Sequence, residues 1–121
     1  TILFASAIQD QLRGLARIFR DAGILKEEVE DLEGRRLAEA VAKAWMELEK
    51  RIGYPTNLRE AGATEKHIQK MVEAAKDPQL KMKLKNMPIS MDPDAGDIER
   101  LMEPTLYAAY TGNINLIPRI D

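Results

Sequence analysis

The sequence has no cysteine, a single histidine and no long apolar run, and each shortage removes a class of chemistry. Without cysteine there is no disulfide, no thiolate nucleophile, no cysteine-ligated zinc and no iron–sulfur cluster. The same absence fits a cytoplasmic location. No apolar stretch approaches the roughly 20 residues that span a bilayer, so no membrane partner is expected. Aromatic residues make up only 5% of the chain and the formal net charge is −2. Long-range attraction to nucleic acid or an anionic membrane is therefore not expected. Neither standard spacing of phosphate-cradling glycines occurs. No segment alternates like a strand, and no hairpin dipeptide sits between apolar runs. No repeat recurs at a fixed period.

What remains is an ordinary globular balance. Hydrophobic residues are 45% and charged residues 31% of 121, enough to bury a core without staples. Length predicts a single helical domain over residues 1–121. The chain opens on Thr1 and runs into Ile2, Leu3, Phe4 and Ala5. That start lacks a basic leader and is too short for a signal core. Bare apolar residues are unusual at a solvated terminus, so the chain reads as an excised piece of a longer polypeptide.

Helical periodicity dominates. Residues 8–22 carry Ile8, Leu12, Leu15, Ala16 and Phe19 on one stripe, closed by Gly23. Residues 24–31 read as a linker with an acidic cluster. Residues 32–52 form the clearest helix, with Leu37, Val41, Ala44, Trp45, Leu48 and Ile52 expected to face the core. Glu39–Lys43 and Glu47–Arg51 are acid-before-base pairs one turn apart, each worth roughly a few tenths of a kcal/mol. Gly53 and Pro55 stop that helix. Residues 57–62 read as one short turn from Asn57 to Gly62. Thr64 caps a further helix that buries Ile68, Met71, Val72 and Ala75. Asp77-Pro78 ends it or begins a short helix through Leu84. A loop over 86–96 precedes a last helix to Thr111. Its expected buried face is Ile98, Leu101, Met102, Thr105, Leu106 and Ala109, with a kink at Pro104. The tail over 114–121 is expected along the surface. The fold class predicted is all-α, a bundle or array of about five helices with sequential helices as neighbours.

Few residues invite a chemical reading. His67 lies off its helix's apolar stripe and has no second ligand at metal spacing, so it reads as a solvated surface histidine. Asp92, Asp94 and Glu103 fall at positions 1, 3 and 12 of a calcium loop. The turning glycine belongs at position 6, which is Asp97, while Gly96 comes one place early. Acidic capping of a helix N-terminus is the simpler account. Lys81, Lys83 and Lys85 read as a solvated basic turn. Ser6 and Ser90 lack a base and an orienter. Phe19 and Trp45 fall at stripe positions and read as core. No catalytic, cofactor-binding or metal-ligating residue is assigned.

One longer pattern is more distinctive. Gly53-Tyr54-Pro55-Thr56-Asn57-Leu58-Arg59-Glu60-Ala61-Gly62-Ala63-Thr64-Glu65 is followed by Ile68, Glu73-Ala74-Ala75 and Asp77, then Asn86-Met87-Pro88, then Ala108-Ala109-Tyr110. Upstream stand Leu15-Ala16-Arg17-Ile18-Phe19 and Gly23. In order and spacing this resembles the C-terminal helical domain of the iron-containing (group III) alcohol dehydrogenases, from about Gln11 to Thr111. The family's Asn-Pro loop is interrupted here by Met87, and residues 79–94 depart from its pattern. The resemblance implies a dehydroquinate-synthase-like helical domain and, in the parent enzyme, an N-terminal nucleotide-binding domain as partner within the same polypeptide. It further implies NAD or NADP and a divalent metal, iron or zinc, held by one aspartate and three histidines. None of those ligands matches a position here, so no cofactor is assigned to the chain itself, and alone it is not expected to be active. The resemblance also allows a homo-oligomeric parent. The competing expectation is a stand-alone helical interaction or regulatory module.

Overall fold

A computed structural model describes residues 1–120. The described residues are all helix, turn and loop, with five α-helices and no strand. The helices are α1 (Gln9–Asp21), α2 (Gly34–Arg51), α3 (Glu65–Ala75), α4 (Lys81–Lys85) and α5 (Glu103–Thr111). The chain divides into two compact units, Thr1–Thr56 and a second from Asn57 on.

In the first unit α1 packs on α2, and the short 3-10 turn Ala5–Ala7 lies against both. Leu12, Ala16 and Phe19 of α1 are buried, as are Leu37, Ala38, Ala40, Val41 and Ala44 of α2. The two helices run the same way. Gln9, at the start of α1, bonds Gly34 at the start of α2, and Phe19 near the end of α1 meets Trp45 edge-on at 5.7 Å. Residues 22–33 therefore return along the pair. The linker expected at residues 24–31 lies within this segment, and two of its residues are core: Leu25 is 5% and Val29 0% exposed. A parallel neighbour needs such a return segment, and its apolar residues are drawn into the core.

The first unit also corrects the expected stripe of α2. Trp45 is 48% and Ile52 59% exposed. The helices begin level, but α1 has 13 residues and α2 has 18. At about 1.5 Å per residue, α2 overhangs its neighbour by roughly 7 Å. Ile52 lies past the end of the partner, where α1 covers nothing, whereas Trp45, level with Arg20 of α1, keeps its edge contact with Phe19 and still leaves about half of its surface open.

In the second unit α3 lies mainly against α5 and the turn before it, rather than against the helix next in sequence. Ile68, Val72 and Ala75 form its buried face, while Met71, expected there too, is 44% exposed. Asp77 accepts the N–H of Gln79 at 2.9 Å and Pro78 opens a 3-10 turn that leads into α4. The following loop is anchored by Met91, 1% exposed, whose N–H donates to the Leu84 carbonyl at 3.0 Å.

The stretch before Pro104 is a widened π turn, Ile98–Met102, continuing into α5. Pro104 has no N–H to give the Arg100 carbonyl and its ring crowds that position. The wide turn relieves the conflict: the Glu103 N–H reaches back five residues to Ile98. Thr105 adds its hydroxyl to the Leu101 carbonyl at 2.7 Å. Further on, Ala108 rather than Ala109 faces inward. Two adjacent alanines differ by about 100° around a helix, and methyl groups alone do not say which is inside.

Candidate functional site

One junction in the second unit joins two motifs some fifty residues apart in sequence. The last four carbonyls of any helix lack helical partners. At the end of α5, the carbonyls of Ala109 and Tyr110 accept the N–H groups of Leu58 at 2.9 Å and Arg59 at 3.2 Å. Asn57 organises the donor turn, since its Oδ1 accepts the Glu60 N–H at 2.8 Å. The Arg59 guanidinium stands 4.8 Å over the Tyr110 ring, and Tyr110 meets Tyr107 edge-on at 6.5 Å. Cation and ring attract electrostatically, and a cation at a helix C-terminus also favours the dipole. Gly112 closes α5 at φ +78°. A Cβ there would stand 3.3 Å from the Asn57 amide nitrogen, so this glycine serves both the turn and the close approach.

The first unit carries an open groove of about 340 Å³ between the return segment and α2. Leu25, Ala40 and Ala44 line it with buried apolar surface, and exposed Lys26, Lys43 and Glu47 surround them.

The residues singled out in the sequence are not brought together. His67 is exposed, and its Nδ1 takes the Thr64 N–H at 3.0 Å. The acidic stretch at 92–97 is occupied by its own backbone and by cations. Asp92 Oδ1 accepts the Asp94 N–H at 3.0 Å, and Asp97 Oδ2 accepts the Asp92 N–H at 2.9 Å. Asp97 also pairs with Arg100 at 2.6 Å, while Asp94 pairs with Lys81. The Asp92 backbone N–H, then Arg100, hold the Asp97 carboxyl below its ordinary range. The Lys81 ammonium does the same for Asp94, and its own proton is held more tightly in return. These carboxylates fasten a turn. Among the described residues, no three acidic or imidazole side chains converge as a metal would require. Lys83 and Lys85 are exposed, as are Ser6 and Ser90.

The side chains that matter most in the first unit escaped the sequence reading. Arg13 spreads its guanidinium over three carbonyls of the return segment: Val29 at 2.7 Å, Glu30 at 3.0 Å and Leu32 at 2.8 Å. Next to it Arg17 grips Glu30 through two bonds of 2.7 and 2.8 Å, and Arg20 pairs with Glu28. These hydrogen bonds from the arginines hold both glutamates below the ordinary carboxylate range. Arginines on one face of α1 and acids in the next segment were visible signals, but their pairing needs the return path.

The fold and its junctions define a class, an all-α protein of five helices. No protein-family model, curated protein or solved structure matches the chain. No described helix is long and apolar enough to cross a membrane.

Proposed function

We propose that this chain is the C-terminal helical domain of a metal-dependent NAD(P) alcohol dehydrogenase, with a dehydroquinate-synthase-like arrangement of helices. In that role it packs around the metal and substrate cleft of its parent and supplies one wall. The nucleotide, the iron or zinc and the metal ligands belong to the preceding domain of the same polypeptide. The parent transfers a hydride between an alcohol and the nicotinamide, with the metal polarising the oxygen.

The observation that carries this reading is the junction of two resemblance motifs. Residues 57–62 and Ala108-Ala109-Tyr110 are far apart in sequence, yet backbone bonds from Leu58 and Arg59 join them. Motifs that form one structural unit argue for a shared origin better than isolated caps do. The coding sequence upstream of Thr1 tests the proposal. The expected finding is a long reading frame with a glycine-rich nucleotide loop and several histidines. A start codon directly before Thr1 overturns it. A second check is biochemical: the full-length product, loaded with iron or zinc, should oxidise a short alcohol with NAD or NADP, and the present chain alone should not.

One observation favours the alternative of a stand-alone interaction module. Ile18 is 63% and Tyr54 66% exposed, apolar side chains open to a partner. A stable partner captured by a gene product of this length, with no upstream domain, would favour that reading.

A further inference from the structure

Thr64 precedes α3 in an extended conformation, φ −121° and ψ 167°, as an N-cap residue should. Its backbone N–H donates to Nδ1 of His67 at 3.0 Å, and its hydroxyl lies 3.1 Å from the same nitrogen. In the usual capping box that third position holds Glu or Gln, whose side-chain oxygen reaches back to the N-cap N–H. Here a ring nitrogen does so. A backbone N–H only donates, so Nδ1 offers its lone pair and the ring proton resides on Nε2.

We propose that His67 makes the cap on α3 a proton-operated switch, closed by the neutral imidazole and opened by the imidazolium. Two effects act in the same direction. A proton on Nδ1 would face the Thr64 N–H and abolish the bond. It would also place positive charge at the positive end of the α3 dipole. The Thr64 hydroxyl, 3.1 Å away, can accept from a protonated Nδ1, but the Thr64 N–H is then left without its acceptor.

The charged surroundings leave this logic intact. On its own helix the nearby groups are Glu65, Lys66 and Lys70, all exposed, and in the preceding turn Arg59 and Glu60, also exposed. The elements packed on α3 carry Glu99, Arg100 and Glu103. Lys76 holds Glu99 at the other end of α3, and Asp97 holds Arg100. Among the described residues, no carboxylate pairs with His67. The cap is therefore made by the neutral ring and lost in the imidazolium. Opening loosens the first turn of α3 where it meets the preceding turn, which the Ala63 N–H ties to the Leu58 carbonyl at 2.9 Å.

The test is nitrogen-15 NMR of the full chain between pH 8 and pH 5, in which the single histidine assigns its own ring. At pH 8 the ring should be the Nε2–H tautomer. The Thr64 amide should shift with the same midpoint as the ring, and its exchange, corrected for intrinsic rates, should rise about fivefold on the acid side, as loss of a typical cap implies. His67→Gln, which keeps an acceptor that takes no proton, should hold the Thr64 amide capped across the range. His67→Ala should leave it uncapped throughout. An Nδ1–H tautomer at pH 8, a Thr64 amide that stays still while the ring titrates, or a Gln variant that responds to pH like the original would each overturn the switch.

Discussion

The side-chain oxygen of Gln9 accepts the backbone N–H of Gly34 at 2.7 Å, so one helix caps another across 25 positions of sequence. Glu33, which holds the local cap position of α2, makes no such bond. This contact joins the starts of α1 and α2, and with the two helices level and parallel the chain must return along the pair and the longer α2 must overhang. α2 begins at Gly34, after Glu33 in an extended conformation, and not at Leu32, where apolar periodicity starts.

Arg13 should be the most sensitive charged position in the first unit. Arg13→Ala frees three carbonyls, two of those bonds being partly buried, and should cost about 1.5–3 kcal/mol. Arg13→Lys should recover little, because an ammonium cannot reproduce the planar fork. Urea unfolding of the two variants checks this, and a lysine variant as stable as the original would contradict it.

Two glycines separate backbone strain from steric contact. Gly23 has φ +73° with open space around it, and Gly112 has φ +78° with Asn57 beside it. Gly23→Ala should cost about 1 kcal/mol, and Gly112→Ala on the order of 2 kcal/mol. Paired thermal melts measure the difference, and equal costs would mean that Asn57 moves aside freely.

Acid should weaken the fold partly through Asp97. Its carboxyl is held below the ordinary value of 3.8 by the Asp92 N–H, then by Arg100. A depressed carboxylate stabilises the folded state above its unfolded value, and that contribution is lost as pH falls through the folded one. Asp97→Ala should therefore lower the urea midpoint at pH 7 and make the decline below about pH 4 shallower. A decline as steep as in the original protein would assign acid sensitivity elsewhere, with Glu28 and Glu30 the next groups to examine.

Trp45 and Leu37 sit on the same helix but should behave oppositely. Leu37 is 0% exposed, and Leu37→Ala should cost about 2–5 kcal/mol. Trp45 keeps an edge contact with Phe19, so Trp45→Ala should cost only about 1 kcal/mol. The emission of this single tryptophan should already be that of a partly solvated ring and be readily quenched by iodide. A blue-shifted, protected emission would place it inside.

Much of the fold was legible because its signals are local. Gly23, Gly53, Gly62 and Gly112 all take positive φ at the stops expected of them, and Thr64 precedes α3 as expected. A disturbance at Pro104 was legible too, since the missing N–H foretells one, but its form as a π turn over Ile98–Met102 was not. The junction of Arg59 with Tyr110 was invisible, since nothing in either motif names the other. Nothing in the residues themselves pointed to chemistry, and the carboxylates that invited a calcium reading fasten a turn instead.

By itself, then, the sequence determined that the chain is helical and where most helices start and stop. Those choices depend on φ preference, missing donors and the spacing of apolar groups within a few residues. Tertiary structure alone decided which stretch of each stripe is covered and that Gln9 and Arg13 bind backbone far along the chain. Coverage and pairing depend on where a distant partner begins and ends, as the longer α2 shows beside the shorter α1, and no local pattern records that.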